Sequence, residues 1–217
     1  MIDNKILSLS PANVNKSIEG RYLRLKPISI NEVSEKYLSW ITDLESNRFL
    51  EVHFRDNINY EYMVEYINSL RSKNGCELFA IFTKGDELHI GNATITSFNE
   101  GNQGIAEFGI MIGDERARNS GMGGEVYILL LEYIFSDPLI HRVGGGVAAD
   151  NKTAWKILES LGFIREGTIR ESFVYPNGER TDAYKYGMLR GEWELNRTKY
   201  LRILKSYIVS EIVLQNA

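Results

Sequence analysis

A chain of 217 residues with 43% hydrophobic and 11% aromatic side chains is long enough for one domain with a substantial core. The formal charge of −4 argues against nucleic acid as a partner, and no run of about 18 apolar residues indicates a membrane span. The single cysteine, Cys76, excludes an internal disulfide and a cysteine-rich metal site. Because residues 1–18 carry no secretory signal, we expect a soluble cytoplasmic protein. We also expect that no metal is bound.

The hydrophobic pattern predicts strands and helices in mixed order along the chain. Strands are predicted at residues 21–26, 77–83, 89–97, 105–112, 142–148, 168–175 and 183–189, and helices at 30–40, 60–71, 125–135, 152–161 and 192–214. Short turns join the second, third and fourth strands, so these strands are expected to be antiparallel. The order predicts an α+β (mixed α/β) fold.

The most informative stretch lies between the fourth strand and the next helix. It reads Arg118, Asn119, Ser120, Gly121, Met122, Gly123, Gly124. Glycines at such a turn let the backbone approach a ligand closely, and the first N–H groups of the helix are free to bind an anion. The stretch therefore predicts a site for a phosphate or pyrophosphate. The dinucleotide fingerprint GxGxxG and the P-loop both match it poorly, and a glycine-rich helix start without a ligand is the competing interpretation.

Two motifs together resemble the GNAT superfamily of acyl-CoA-dependent N-acyltransferases, and in particular its ribosomal-protein-acetyltransferase-like branch. The first is Arg118-x-x-Gly121-x-Gly123, and the second runs from Asn151 through Ala154 to Leu161-Gly162-Phe163. The resemblance covers roughly residues 20–190. It implies an N-terminal extension at 1–19, a GNAT domain at 20–190 and a C-terminal helical extension at 191–217. The tail is expected to pack on its own core, although the same apolar stripe also suits a homodimer.

The resemblance implies acetyl-CoA as co-substrate, with its pyrophosphate on the amides of residues 118–124. It also implies a central, mostly antiparallel twisted sheet in which strands 4 and 5 splay apart after a bulge. The pantetheine arm would lie in that gap and pair with the strand edge at Ile110, Met111 and Ile112. Asn151, near Ala154, would hydrogen-bond the same arm while also capping its helix.

The implied chemistry is attack of a neutral amine on a thioester, which requires a group that removes the amine proton. Glu107 is the candidate base, because it lies in the fourth strand on the same side as Met111, in a setting expected to be apolar. A solvated strand carboxylate is the competing interpretation. The tyrosine that commonly protonates the thiolate in this family is replaced by Leu158, so Tyr184 and Tyr186 are the substitutes considered.

The acceptor is expected to be a small-molecule primary amine, such as an amino sugar carried on a nucleotide. In that hypothesis Trp40 and Phe49 stack on a sugar or base, and Arg48, His53 or Arg55 contacts a diphosphate. A protein N-terminal α-amine and a catalytically silent acyl-CoA-binding module remain as alternatives. The sequence also leaves the length of the acyl group open.

Overall fold

The computed structural model describes residues 17–50, 57–98, 104–118, 120–175 and 177–206. The strands are β1 (Ile18–Glu19), β2 (Leu23–Pro27), β3 (Cys76–Thr83), β4 (His89–Phe98), β5 (Ile105–Ile112), β6 (Arg142–Ala148), β7 (Ile164–Val174) and β8 (Arg180–Leu189). The helices are α1 (Glu35–Thr42), α2 (Leu44–Asn47), α3 (Tyr60–Ser72), α4 (Met122–Phe135), α5 (Lys152–Ser160) and α6 (Arg190–Ser206).

The strands form one sheet in the order β1-β2-β3-β4-β5-β6-β8-β7. Every neighbouring pair among the described strands is antiparallel except β5 and β6, which run parallel. A parallel pair needs a crossover connection, and α4 supplies it. The predicted mixed α/β fold with a mostly antiparallel sheet is therefore confirmed.

The sheet opens between β5 and β6. These strands pair only at Ile105–Arg142, Ala106–Val143 and Glu107–Gly144. Beyond Glu107, β5 continues beside β4 as far as Ile112, while β6 continues beside β8 as far as Ala148. The predicted splay is thus present. The predicted bulge is wrong, because β5 keeps an unbroken register with β4 and the gap arises where β6 diverges with its own partner.

The two faces of the sheet carry different hydrophobic clusters. One face packs against α4, α5 and α6 and includes Ala106, Phe108 and Ile110 of β5. The other face packs against α1 and α3, and Met111 of β5 lies against that cluster. Since side chains alternate along a strand, Glu107 shares the α1/α3 face with Met111, as the sequence predicted.

The first predicted helix is divided. A 3-10 turn at Ile30–Glu32 begins with a capping box in which Ser29 and Glu32 bond reciprocally, and α1 begins only at Glu35. The hydroxyl of Ser34 accepts the N–H of Tyr37, which fixes that new start. The periodicity of apolar residues crosses both pieces, so it did not reveal the break.

The final helix packs on the core of the domain. Trp193 and Tyr200 are each 2% exposed, and the Trp193 ring stacks on Phe135 of α4 at a centroid distance of 6.1 Å. This confirms the own-core interpretation for the described part of the tail. Residues 1–16 and 207–217 lie outside the described residues, and the division into extensions stays a prediction. No helix in the described ranges combines the length and apolarity needed to cross a membrane.

Candidate active site

The glycine loop forms the start of α4. Gly121 is the residue before the first helical position and has a φ of 85°, in the left-handed region that favours glycine. Its carbonyl accepts the N–H of Gly124 at 3.1 Å, and the hydroxyl of Ser120 accepts the N–H of Met122 at 3.3 Å. The glycine turn leaves the start of α4 without a Cβ at Gly121, and the binding of an anion to the amides of this loop stays a prediction. Asn119 lies outside the described residues.

The side chain of Arg118 fixes the position of the glycine loop. Its Nη2 donates to the carbonyl of Gly113 and to the hydroxyl of Ser46 in α2, both at 3.2 Å. The side chain therefore links the glycine loop to α2.

The second motif lies beside the first. Asn151 caps α5, and its Oδ1 accepts the N–H of Ala154 at 3.2 Å, as expected. A methyl group built on Gly123 would lie 3.9 Å from Cδ1 of Ile157, so the start of α4 lies beside the middle of α5. The structure thus brings the two motifs together on the α4/α5 face of the sheet. Contact of Asn151 with a cofactor arm stays a prediction.

A cavity of about 500 Å³ lies at the splay, under α1 and α3. Its wall includes five consecutive residues of β5, 107–111, because the strand edge is open there once β6 has diverged. Most of the other lining residues are aromatic or aliphatic: Tyr37, Ile41, Phe49, Leu50, Tyr62, Met63, Tyr66 and Leu78. Three polar side chains of β4 complete the wall: Asn92, Thr94 and Thr96. The predicted base Glu107 and the predicted cofactor contacts Ile110 and Met111 therefore meet at one cavity, and Ile112 continues the same strand.

Glu107 lies where β5 loses its pairing with β6, and its side chain is exposed. The cavity around it is mostly aromatic or aliphatic, as predicted, but the side chain is open to solvent because β6 turns away at this point. Arg142 lies on the same face and makes a bidentate ion pair with Glu166, at 2.7 and 2.5 Å. Gly144 and Gly187 leave the room for this guanidinium, since a methyl group on Gly187 would lie 2.3 Å from it.

The two tyrosines considered as proton donors lie on the other face. Tyr186 is 1% exposed and donates its hydroxyl to Oε1 of Glu159 in α5 at 2.8 Å. Burial and this hydrogen bond raise the pKa of Tyr186 to about 12. Tyr184 packs edge-on to Trp155 of α5. Neither lines the cavity that contains Glu107, so the structure does not bring the three predicted catalytic residues together, and the proton donor stays a prediction.

The residues predicted to bind the acceptor amine do not all lie at the cavity. Phe49 lines the cavity, and the Arg48 guanidinium lies 4.3 Å from its ring centroid. Trp40 does not line it: this side chain is 5% exposed and packs against Gly113, where a methyl group would lie 2.1 Å from the indole. As a platform for a sugar or base, Trp40 is inaccessible. His53 and Arg55 lie outside the described residues.

Sequence reasoning missed the polar side chains of β4 that face the cavity. Asn92, Thr94 and Thr96 are cross-strand partners of Met111, Gly109 and Glu107. The signal was present in the sequence, because a central strand with polar residues at every second position indicates that one face meets a cavity.

A helix that begins at a glycine turn lies beside a splayed strand edge, and a carboxylate and a cavity lie at the splay. This is the arrangement expected of an enzyme that binds a phosphorylated co-substrate with an extended arm. A family profile described as an acetyltransferase (GNAT) domain matches residues 22–164. The chain belongs to this family of N-acetyltransferases, whose fold uses acetyl-CoA.

Curated relatives agree with this assignment. The chain is similar to the uncharacterized N-acetyltransferase p20 of Bacillus licheniformis, with 25% identity over 172 residues, which is 79% of this chain and 94% of p20. It is also similar to YdaF of Bacillus subtilis, provisionally named a ribosomal N-acetyltransferase, with 34% identity over 65 residues, or 30% of this chain and 35% of YdaF.

Solved structures share the fold. A GCN5-related N-acetyltransferase from Brucella melitensis superposes with a TM-score of 0.71 at 21% identity, covering 88% of this chain and 86% of its own. Spermidine N-acetyltransferase from Vibrio cholerae, in complex with CoA and spermine, gives a TM-score of 0.70 at 20% identity, covering 80% of this chain and 98% of its own.

Proposed function

We propose that this protein transfers the acetyl group of acetyl-CoA to a small primary amine that enters the cavity under α1 and α3. The observation that carries the proposal is the position of Glu107. It is the last residue of β5 that pairs with β6, and it lies in the cavity wall beside the open strand edge. A base at this point stands next to the edge that is free to pair with an extended co-substrate arm.

In this proposal, residues on one face of the sheet bind acetyl-CoA and residues on the other face bind the acceptor. The amides of the loop 120–124 and the N-terminus of α4 bind the pyrophosphate, and the edge at residues 108–112 binds the arm. The carboxylate of Glu107 accepts a proton from the acceptor ammonium, directly or through one water, so that the neutral amine attacks the thioester. A backbone N–H at Ile110 or Met111 stabilises the oxyanion that then forms. When this intermediate collapses, the C–S bond breaks and CoA leaves as a thiolate, which takes the remaining ammonium proton directly or through solvent.

The charge of the cavity favours a cationic acceptor. Among the described lining residues the one charged side chain is that of Glu107, and several aromatic rings accompany it. A cation is attracted by a carboxylate and by aromatic faces, whereas a diphosphate needs basic groups. We therefore place a phosphate-free amine ahead of the nucleotide-linked amino sugar.

The test is CoA thiol release from acetyl-CoA with a panel of amines, amino-sugar nucleotides and short peptides. We expect release with phosphate-free amines. Glu107→Gln should lower kcat by about 10²-fold or more and leave the acetyl-CoA affinity unchanged, because the amide cannot take the proton. Glu65→Gln, on the exposed side of α3, is the matched control and should keep full activity.

Two results would oppose the proposal. If acetyl-CoA raises the Tm of the protein but no acceptor releases thiol, the protein is a binding module. If Glu107→Gln retains the wild-type kcat over the whole pH range, Glu107 is not the base.

A further inference from the structure

Asn92 presents a buried hydrogen-bond donor at the acceptor cavity. The residue is 6% exposed and lies in the cavity wall. Its Nδ2 has no hydrogen-bond partner in the part of the chain that the structure describes. An amide N–H that is buried without a partner costs roughly 1–3 kcal/mol, so such a group is expected to meet a ligand or an ordered water.

His89 fixes the direction in which this amide points. Nε2 of His89 lies 3.0 Å from the carbonyl oxygen of Gly91 and 3.2 Å from Oδ1 of Asn92. A ring nitrogen between two acceptors carries the proton, so His89 donates to Oδ1 of Asn92. Turning the amide over would set its NH₂ group against that N–H. The ring itself is held by stacking on Phe82 and by an edge contact with Trp40.

The distance from Asn92 to the proposed base sets the length of the acceptor. Asn92 is the cross-strand partner of Met111, and Thr96 is the partner of Glu107. Four residues along a strand correspond to about 13 Å. An amine bound at Glu107 therefore reaches Asn92 only if the molecule is elongated.

We propose that Asn92 is a specificity-determining residue, and that the acceptor is an elongated amine with a carbonyl or hydroxyl oxygen at the end remote from the reacting nitrogen. The inference rests on the proposed function and refines its substrate class. A donor held in place by His89 rejects a purely apolar remote end, because that end leaves the amide unpaired.

The experiment compares two matched probes, 6-aminohexanamide and 6-methylheptylamine, in which an isopropyl group replaces the carboxamide. We expect wild-type protein to prefer the carboxamide in kcat/KM by about ten-fold. Asn92→Leu, which removes the donor at similar volume, should bring the two probes within about two-fold of each other, with the KM for acetyl-CoA unchanged. Asn68→Leu, on the exposed side of α3, is the matched control and should keep the wild-type preference.

Calorimetry on the protein loaded with acetyl-CoA separates this inference from the proposed function. If no amine is acetylated, the proposed function fails, yet tighter binding of 6-aminohexanamide that is lost in Asn92→Leu still supports the donor site. Equal affinity for the two probes overturns the inference. That result is expected if an ordered water, and no substrate atom, bonds to Asn92. Binding of neither probe, or a preference that survives in Asn92→Leu, also overturns it.

Discussion

At the scale of the residue, two positions define the ends of the site. Gly121 permits the left-handed turn from which α4 begins, and Glu107 marks the point at which β5 becomes a free edge. The first position depends on backbone conformation, since only glycine adopts a φ of 85° at little cost. The second depends on where a strand pairing stops. A single substitution can therefore affect one end of the site and leave the other intact.

Gly121→Val tests the cofactor end. A β-branched side chain strains the left-handed turn and covers the amides that face the anion, so we expect the acetyl-CoA affinity to fall by about ten-fold or more. Titration calorimetry measures this directly. Gly178→Val is the matched control, because Gly178 has a φ of 83° in the turn between β7 and β8. Both variants should lose stability, and only Gly121→Val should lose affinity. An equal loss of affinity in both would refute the assignment of the loop.

At the scale of the element, the loop after β5 is tied to α1 by Asp114. This carboxylate is 4% exposed and accepts hydrogen bonds from Lys36 of α1 at 2.5 Å and from Arg116 at 3.2 Å. Burial opposes its ionisation, but the bonds from Arg116 and Lys36 outweigh burial and lower the pKa of Asp114 to about 2. The same loop continues to Arg118, which reaches α2, so both α1 and α2 are tied to the segment that leads from β5 to α4.

Asp114→Asn tests this anchor through its pH dependence. A carboxyl with a lowered pKa stabilises the folded state above its unfolded-state pKa of about 3.9 and loses that contribution as the pH falls toward 2. We expect the variant to be less stable than wild type by about 1–2 kcal/mol at pH 7, and the difference to shrink below about pH 4. Urea unfolding at a series of pH values measures it, with the exposed neighbour Glu115→Gln as control. A difference that stays constant down to pH 3 would contradict the ionic anchor.

Most elements could be predicted from the sequence because local patterns determine them. The bounds of β5 and β6 agree with the prediction residue for residue, since each is an apolar or glycine-rich run between polar turns. What could not be predicted depends on contacts between distant segments. The burial of Trp40 against Gly113, the donation from Tyr186 to Glu159 and the exposure of Glu107 all arise from packing across elements. Periodicity contains no information about these contacts.

At the scale of the whole molecule, the two sequence motifs and the cavity lie on opposite faces of the sheet. The start of α4 and α5 lie on one face, and the cavity lies on the other face under α1 and α3. The gap between β5 and β6 is the place where the two faces communicate. Under the proposed function, both substrates are therefore bound at once, one from each side of the gap.

The central claim is that acetyl-CoA and a primary amine meet at this gap. The most direct measurement is mass spectrometry of the products formed from acetyl-CoA and an amine, with free CoA quantified in the same sample. We predict that acetylated amine and CoA appear in equal amounts with wild-type protein and that both are strongly reduced in Glu107→Gln. CoA release without acetylated amine, or equal product formation by Glu107→Gln and wild type, would contradict the account.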